Sequence, residues 1–327
     1  MNEQIGNGRT ITLIAAIREA LEEEMRRDED VFLVGQDVRG GIFPHTKGLV
    51  DEFGPDRILD TPIAESGMYG VAMGAAQEGF RPVVDFMFGG FSYVTFSEAT
   101  VSTGQYHFLH GSQRPLPLVM TAGVGTGQRL ANDHAMSIHG TFAHHPGIKV
   151  AMPSTPYDAK GLFKAAIRDD NPVVIPWHMG IMMERGEVGE GDYLVPLGSA
   201  DVKCAGSDVT VLANSLQLKH ALKVAEQLEG EIDIEVIDPR SFVPFDMDTL
   251  LTSLEKTNRL VVVDEDWESG GFAATVSARV MEQGFDLLDA PVTRVTLPNM
   301  PVPGGYMEEY VAPNPERIEA AVRAVCA

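Results

Sequence analysis

Residues 57–93 read RILDTPIAESGMYGVAMGAAQEGFRPVVDFMFGGFSY, and their rhythm decides the fold class. Two apolar runs, RILDTPI (57–63) and PVVDFMF (82–88), bracket a helical stretch from Met68 to Gln77. Short apolar runs separated by helical patterns predict a parallel sheet, whose strands are covered on both faces. The pattern extends in both directions. Upstream, Leu13, Ile14, Ile17, Ala20, Leu21 and Met25 recur at helical spacing between Thr10 and Arg27, with Glu22, Glu23 and Glu24 marking a wet face, and VFLVGQD (31–37) reads as a buried strand. Downstream come a helix from Phe96 to Leu109, strands PLVMTAG (117–123), IKVAMP (148–153) and NPVVIPW (171–177), and a helix from Pro156 to Arg168 between the last two.

The stretch ERGEVGEGDYLVPLGSA (184–200) is rich in glycine and acid and carries neither period, as a surface linker would. It divides the chain into units 1–190 and 191–327. Beyond it the rhythm resumes with DVTVLAN (208–214), IDIEVID (232–238), RLVVVDE (259–265) and PVTRVTL (291–297), separated by helices near 216–228, 246–255 and 271–282. The expected fold is a doubly wound parallel α/β sheet followed by a smaller α/β domain. No repeat of 20 to 50 residues is visible.

Composition narrows the function classes. The chain has 327 residues, 25 Lys and Arg against 47 Asp and Glu, and a formal charge of −22, which repels phosphate backbones and anionic lipid heads. Nucleic acid and membrane are excluded as expected partners. Cys204 and Cys326 belong to no C-x-x-C pair, which speaks against a disulfide framework and for a reducing cytoplasm. The start, MNEQIGNGRT, lacks the order of a signal peptide, and no apolar run approaches the roughly 18 residues of a membrane span.

Open parallel sheets bind ligands beyond the carboxyl ends of their strands, which directs attention to the loops there. TPIAESG (61–67) places Glu65 at a helix start, where a structural first-turn acid and a catalytic acid are both possible readings. FMFGGFSY (86–93) sets Phe86, Phe88 and Phe91 around Gly89 and Gly90, a combination suited either to a strand end in the core or to holding a flat heterocycle. GVGTGQRLANDHAMSIHG (123–140) only loosely resembles a phosphate loop, since it lacks the P-loop lysine and the dinucleotide fingerprint. His134, His139, His144 and His145 are spaced by five, five and one, so no pair shares a helical face as a metal site would require. His134, beside Asn132 and Asp133, suits proton transfer better.

These loops, with GAAQEGFRPVVDFMF, HHPGIKVAMPSTPYDAKGLFKAAIRDDNPVV, PRSFVPFD, ESGGFAA and PNPERIEAAVRAV, resemble the beta subunit of the thiamine-diphosphate-dependent decarboxylating component of 2-oxo acid dehydrogenase complexes, of the pyruvate, branched-chain or acetoin type. The resemblance runs from about Ile11 to Val325. It implies a pyrimidine-binding domain followed by a transketolase C-terminal-type domain, and decarboxylation of a 2-oxo acid with transfer of the acyl unit to lipoamide. It maps Glu65 onto the acid that hydrogen-bonds the aminopyrimidine and promotes its imino tautomer. Met87 and Phe91 fall on residues packing against the pyrimidine, Ile63 on a main-chain contact, and His134 on the histidine at the substrate end. Ala166, Ile167, Asp169 and Asn171 resemble a loop that in some relatives holds potassium.

The family's diphosphate and magnesium motif begins G-D-G, and no G-D-G occurs in this chain. The resemblance therefore assigns magnesium to a separate alpha subunit, in a heterotetramer of two alpha and two beta chains, with a dihydrolipoyl acyltransferase core as a further partner. Two departures from the family are HAM (134–136) where many relatives read H-S-Q, and PWH (176–178) where L-E-H is common. They leave two alternatives, an acyloin-forming carboligase subunit and a non-catalytic assembly subunit.

Overall fold

A computed structural model describes residues 8–327. Residues 1–7, most of the stretch read as lacking a signal peptide, lie outside the described residues. The strands of the first half are β1 (Arg9–Thr12), β2 (Val31–Gly35), β3 (Ile58–Asp60), β4 (Arg81–Phe88), β5 (Val119–Val124), β6 (Lys149–Ala151), β7 (Val173–Val174), β8 (Trp177–His178) and β9 (Arg185–Val188). Those of the second half are β10 (Asp201–Cys204), β11 (Val209–Ala213), β12 (Ile234–Asp238), β13 (Ser241–Val243), β14 (Leu260–Trp267) and β15 (Thr293–Leu297).

The larger sheet runs β13-β6-β7-β5-β4-β2-β3, with β8 also beside β5, and the smaller one β10-β12-β11-β14-β15. All neighbours within them are parallel except the edge pairs β13–β6 and β10–β12. Successive residues of a strand point to opposite faces, and both faces here are apolar. Val83 and Val119 join a core with the helices Leu13–Arg27 and Pro156–Arg168, while Val84, Phe86, Met120 and Ala122 join one that reaches Phe242, Phe272 and Val276 of the second half. One apolar core thus spans both units.

Three expectations need correction. Glu22 to Glu24 do not form a simple wet face: Glu24 is fully buried and pairs with Arg168 at 2.6 Å and Arg27 at 2.9 Å, while Glu23 meets Lys160 at 2.7 Å and also Lys164. Burial opposes ionisation of Glu23, but the two ammonium groups outweigh it and lower its pKa. The acids face a neighbouring helix that brings its own bases, which local periodicity cannot register. The stretch 184–200 is not wholly irregular, since β9 pairs antiparallel with β1. The helix expected over Phe96–Leu109 forms but is interrupted: a π-helical stretch (Glu98–Thr103) follows directly on a 3-10 segment (Gly89–Thr95) and its first helical residues, and a turn separates it from a short helix (Tyr106–Leu109).

Charge also seals the contact between halves. Asp158, capped at the start of the Pro156–Arg168 helix by Thr155, meets Arg240 at 2.7 Å and Lys203 at 3.3 Å. Asp238, at the end of β12, lies beside them and is fully buried. Burial first, and then the charge of Asp158, push its pKa up to about 7.

The unfolded chain ionises this acid near 3.9. Between there and about 7 the folded state holds the extra proton, so its contribution to stability falls as pH rises through that window. Asp238→Asn is expected to raise Tm at pH 8 and leave it nearly unchanged at pH 4. Parallel Tm–pH curves for the two proteins would contradict this account.

Candidate active site

Parallel pairing of β3 with β2, β2 with β4 and β4 with β5 brings the three candidate loops to one edge of the larger sheet. The first begins the Glu65–Gln77 helix, whose preceding residue, Ala64, offers no side-chain cap. Glu65 is half-buried, and among the described residues its carboxylate has neither hydrogen bond nor ion pair. Ile63 is 83% exposed. The Ser66 hydroxyl donates to the Val94 carbonyl at 3.1 Å, tying this helix start to the turn of the second loop.

At the second loop β4 bulges. Its register against β5 shifts between Asp85 and Phe88, and Met87 takes φ 64°, a left-handed conformation unusual for any residue but glycine. Asp85 holds the bulge by accepting from the Met87 N–H at 2.8 Å, and His45 holds Asp85 through a 2.7 Å contact from Nε2. Both His45 and Asp85 are buried. Neither was singled out in the sequence, although a lone acid inside the apolar run PVVDFMF was a visible signal.

The second and third loops interlock. A Cβ at Gly90 would collide with the Asp133 carbonyl, and one at Gly89 would lie 2.6 Å from Val124. Only glycine permits this approach, and it sets the His134 ring 4.4 Å from Phe88 and 5.4 Å from Phe91 between centroids, edge to face in both cases. The structure thus joins Phe91 and His134 directly and links Glu65 to the same turn through Ser66. It shows no direct hydrogen bond between Glu65 and His134.

The remaining sequence candidates lie elsewhere. The loose phosphate-loop resemblance of GVGTG gives way to an internal use: the Thr126 N–H donates to Glu265 and the Gly127 N–H to Glu308. His139 contacts Asp264 at 2.9 Å in the interior. Burial opposes its charged form, but Asp264 outweighs burial and raises its pKa. His139, Asp264 and Asp266 could together offer three metal ligands, yet Asp264 already accepts from the Ala273 N–H and Asp266 from the Trp267 N–H. The carbonyls of Ile167 and Asp169 both accept from Arg81 Nη1 at 3.1 Å, and the Asp169 carboxylate accepts from Lys149 and from the Asn171 N–H. Of the four positions assigned to potassium, two thus direct their carbonyls at a guanidinium of the chain itself, and this donor set does not fit a metal ion as it stands.

The PWH departure also has a place. Trp177 is fully buried, with its ring 5.0 Å from Phe43 and 5.4 Å from His45, so it fills the core behind the β4 bulge. His178 accepts from the Gly180 N–H through Nδ1, which leaves Nε2 to donate to Glu265 at 3.0 Å. Burial works against ionisation of Glu265, but His178, the Thr126 amide and Gln217 prevail and hold its pKa down to about 2.

Comparison with known proteins gives this site a family. Residues 9–183 match the model for the transketolase pyrimidine-binding domain and residues 198–318 that for the transketolase C-terminal domain. The chain is 42% identical to the beta subunit of acetoin:2,6-dichlorophenolindophenol oxidoreductase of Bacillus subtilis, covering 95% of each. The chain belongs to the 2-oxo acid dehydrogenase beta-subunit family. It is also 40% identical to the beta subunit of the pyruvate dehydrogenase E1 component of B. subtilis and 39% identical to the 2-oxoisovalerate dehydrogenase beta subunit of that organism, covering 96% of this chain and 98% of the relative in both cases. A solved structure titled split gene transketolase, inactive beta4 tetramer, shares the fold with a TM-score of 0.79 at 22% identity, covering 97% of this chain and 98% of that one. Among the described residues no helix is long and apolar enough to cross a membrane.

The Gly90 contact can be tested directly. Gly90→Ala must push the aromatic turn off the Asp133 carbonyl, and overpacking of this kind costs about 1–3 kcal/mol. The midpoint of urea unfolding should fall accordingly, whereas an unchanged midpoint would mean that the loops separate freely.

Proposed function

We propose that this beta chain builds the pyrimidine side of a thiamine-diphosphate active centre that decarboxylates a 2-oxo acid and passes the acyl unit to lipoamide. The alpha chain of the same assembly completes the centre. The observation that carries the reading is the Glu65 carboxylate, half-buried at the crest of the sheet with no partner among the described residues. An acid serving only the fold would be expected to contact the amides of its own turn or a neighbouring cation.

The residues around Glu65 suit an aminopyrimidine: a carboxylate, a thioether at Met87, an aromatic face at Phe91 and accessible backbone at Ile63. Thiamine diphosphate, when bound, supplies the electron sink for decarboxylation. Glu65 would hold the proton shared with a ring nitrogen, and its partial burial strengthens that contact relative to bulk water. Met87, presented by the bulge, and Phe91 would fix the ring plane. His134, braced by Phe88 and Phe91, would meet the 2-oxo acid and offer its ring nitrogens to it.

Magnesium and the diphosphate fall to the alpha chain, in a heterotetramer of two alpha and two beta chains, since this chain has no G-D-G and its GVGTG amides serve its own carboxylates. Exposed Ile63, Val71, Val94 and Val101 give the alpha chain an apolar rim to cover. A net charge of −22 would steer a basic docking domain of an acyltransferase core, and two free cysteines suit the cytoplasm. Potassium has no part in the proposal. The domain boundary is placed at residues 190/191, between β9 and β10. Trp177 belongs to the core, which removes half of the argument for a carboligase.

Glu65→Gln keeps the shape and removes the acid. In a co-expressed alpha–beta pair it should lower carbon dioxide release from pyruvate or 2-oxoisovalerate, and dye reduction with acetoin, by about 10²–10⁴-fold. Undiminished turnover would favour the assembly-subunit reading.

A further inference from the structure

Between β5 and His134 the backbone is left-handed at every second residue: Gly125 (φ 92°), Gly127 (φ 101°), Arg129 (φ 60°) and Ala131 (φ 72°). Two of these four carry side chains, so the loop is strained and persists only where its surroundings hold it. Alternation of this kind turns successive N–H groups toward an anion. Here the anions come from the second domain, as Glu265 on Thr126 and Glu308 on Gly127.

The segment 299–311 continues the grip. The Val302 N–H donates to Asn132 Oδ1 at 3.0 Å, the Gly305 N–H donates to the Arg129 carbonyl at 3.1 Å, and Glu309 pairs with Arg129. Ala135, Leu297 and Val302 close a small apolar cluster beneath it. The strained loop leads straight to the proposed substrate-end group, because the His134 N–H donates to the Ala131 carbonyl at 3.2 Å. Glu308 is 2% exposed, and its second oxygen is buried without a partner among the described residues. A half-satisfied buried carboxylate is a poor device for stability alone.

We infer that Glu308 is a positioning residue: by clamping the Gly127 amide from the second domain it sets the strained loop that aims His134 at the substrate. The inference rests on the reading of His134 given above. In the assembled alpha–beta enzyme, Glu308→Ala should lower kcat/KM for the 2-oxo acid about tenfold or more while leaving the KM for thiamine diphosphate within about twofold. Glu308→Gln retains an acceptor for the Gly127 N–H and should recover most of the loss. Adding Glu308→Ala to His134→Gln should cost little more than His134→Gln alone, because one residue acts through the other. Amide hydrogen exchange over 125–135 should quicken in Glu308→Ala.

Unchanged exchange and turnover in Glu308→Ala, or losses that multiply in the double variant, would overturn the clamp. Quickened exchange beside a fully active His134→Gln enzyme would instead overturn the role of His134, and with it the purpose assigned to the clamp.

Discussion

Parallel pairing is the constraint on which the site depends. Strands that run the same way end on the same edge, so the loops after β3, β4 and β5 meet although they begin at residues 61, 89 and 125. The same pairing requires apolar cover on both faces, and the molecule finds it on one side in its own helices and on the other partly in its second domain. The second domain is therefore part of the packing that makes the first one's sheet possible. β13 expresses the same dependence in backbone terms, because residues 241–243 extend the first sheet as an antiparallel edge.

Charge completes what apolar burial begins. Asp158, Asp238, Asp264, Glu265 and Glu308 are all buried, and each lies where the two halves meet. Buried carboxylates are unfavourable unless hydrogen-bonded or paired, so each restricts how the halves can sit. Glu265 takes the Thr126 amide, His178 and Gln217 at once. An apolar interface of equal area would allow sliding, whereas this one admits few arrangements. A centre built from loops of one half and braced by the other needs that restriction.

The parts legible in the sequence were those that depend on local periodicity and turn chemistry. The strands Val31–Gly35, Arg81–Phe88 and Val119–Val124 declared themselves as apolar runs, Glu65 as an acid at a helix start, and Gly89–Gly90 as a point of close approach. The rest depends on partners far along the chain. Glu24 looks solvated until Arg168 arrives from 144 residues away, and the Thr126 amide meets a carboxylate 139 residues on. The bulge at Met87 lies between: Asp85 stood out of place in its apolar run, but its partner His45 comes from a loop with no regular pattern.

Where the site leaves groups unsatisfied is as informative as where it satisfies them. The interior matches nearly every carboxylate to an amide or a base, and does so even at Asp264 and Asp266, which a metal could otherwise claim. Glu65 departs from that habit at the open edge of the sheet, close to exposed Ile63 and within two helical turns of exposed Val71. The buried acids at the contact between the halves are engaged by amides or bases, whereas the Glu65 carboxylate stands free at the edge where the three loops meet. An unpaired acid on an apolar rim is suited to a surface that another chain and a ring-nitrogen ligand complete together. The loop after β5 shows the opposite use of the same chemistry: its Thr126 and Gly127 amides are taken by carboxylates of this chain, so they brace the crest of the sheet from the second domain.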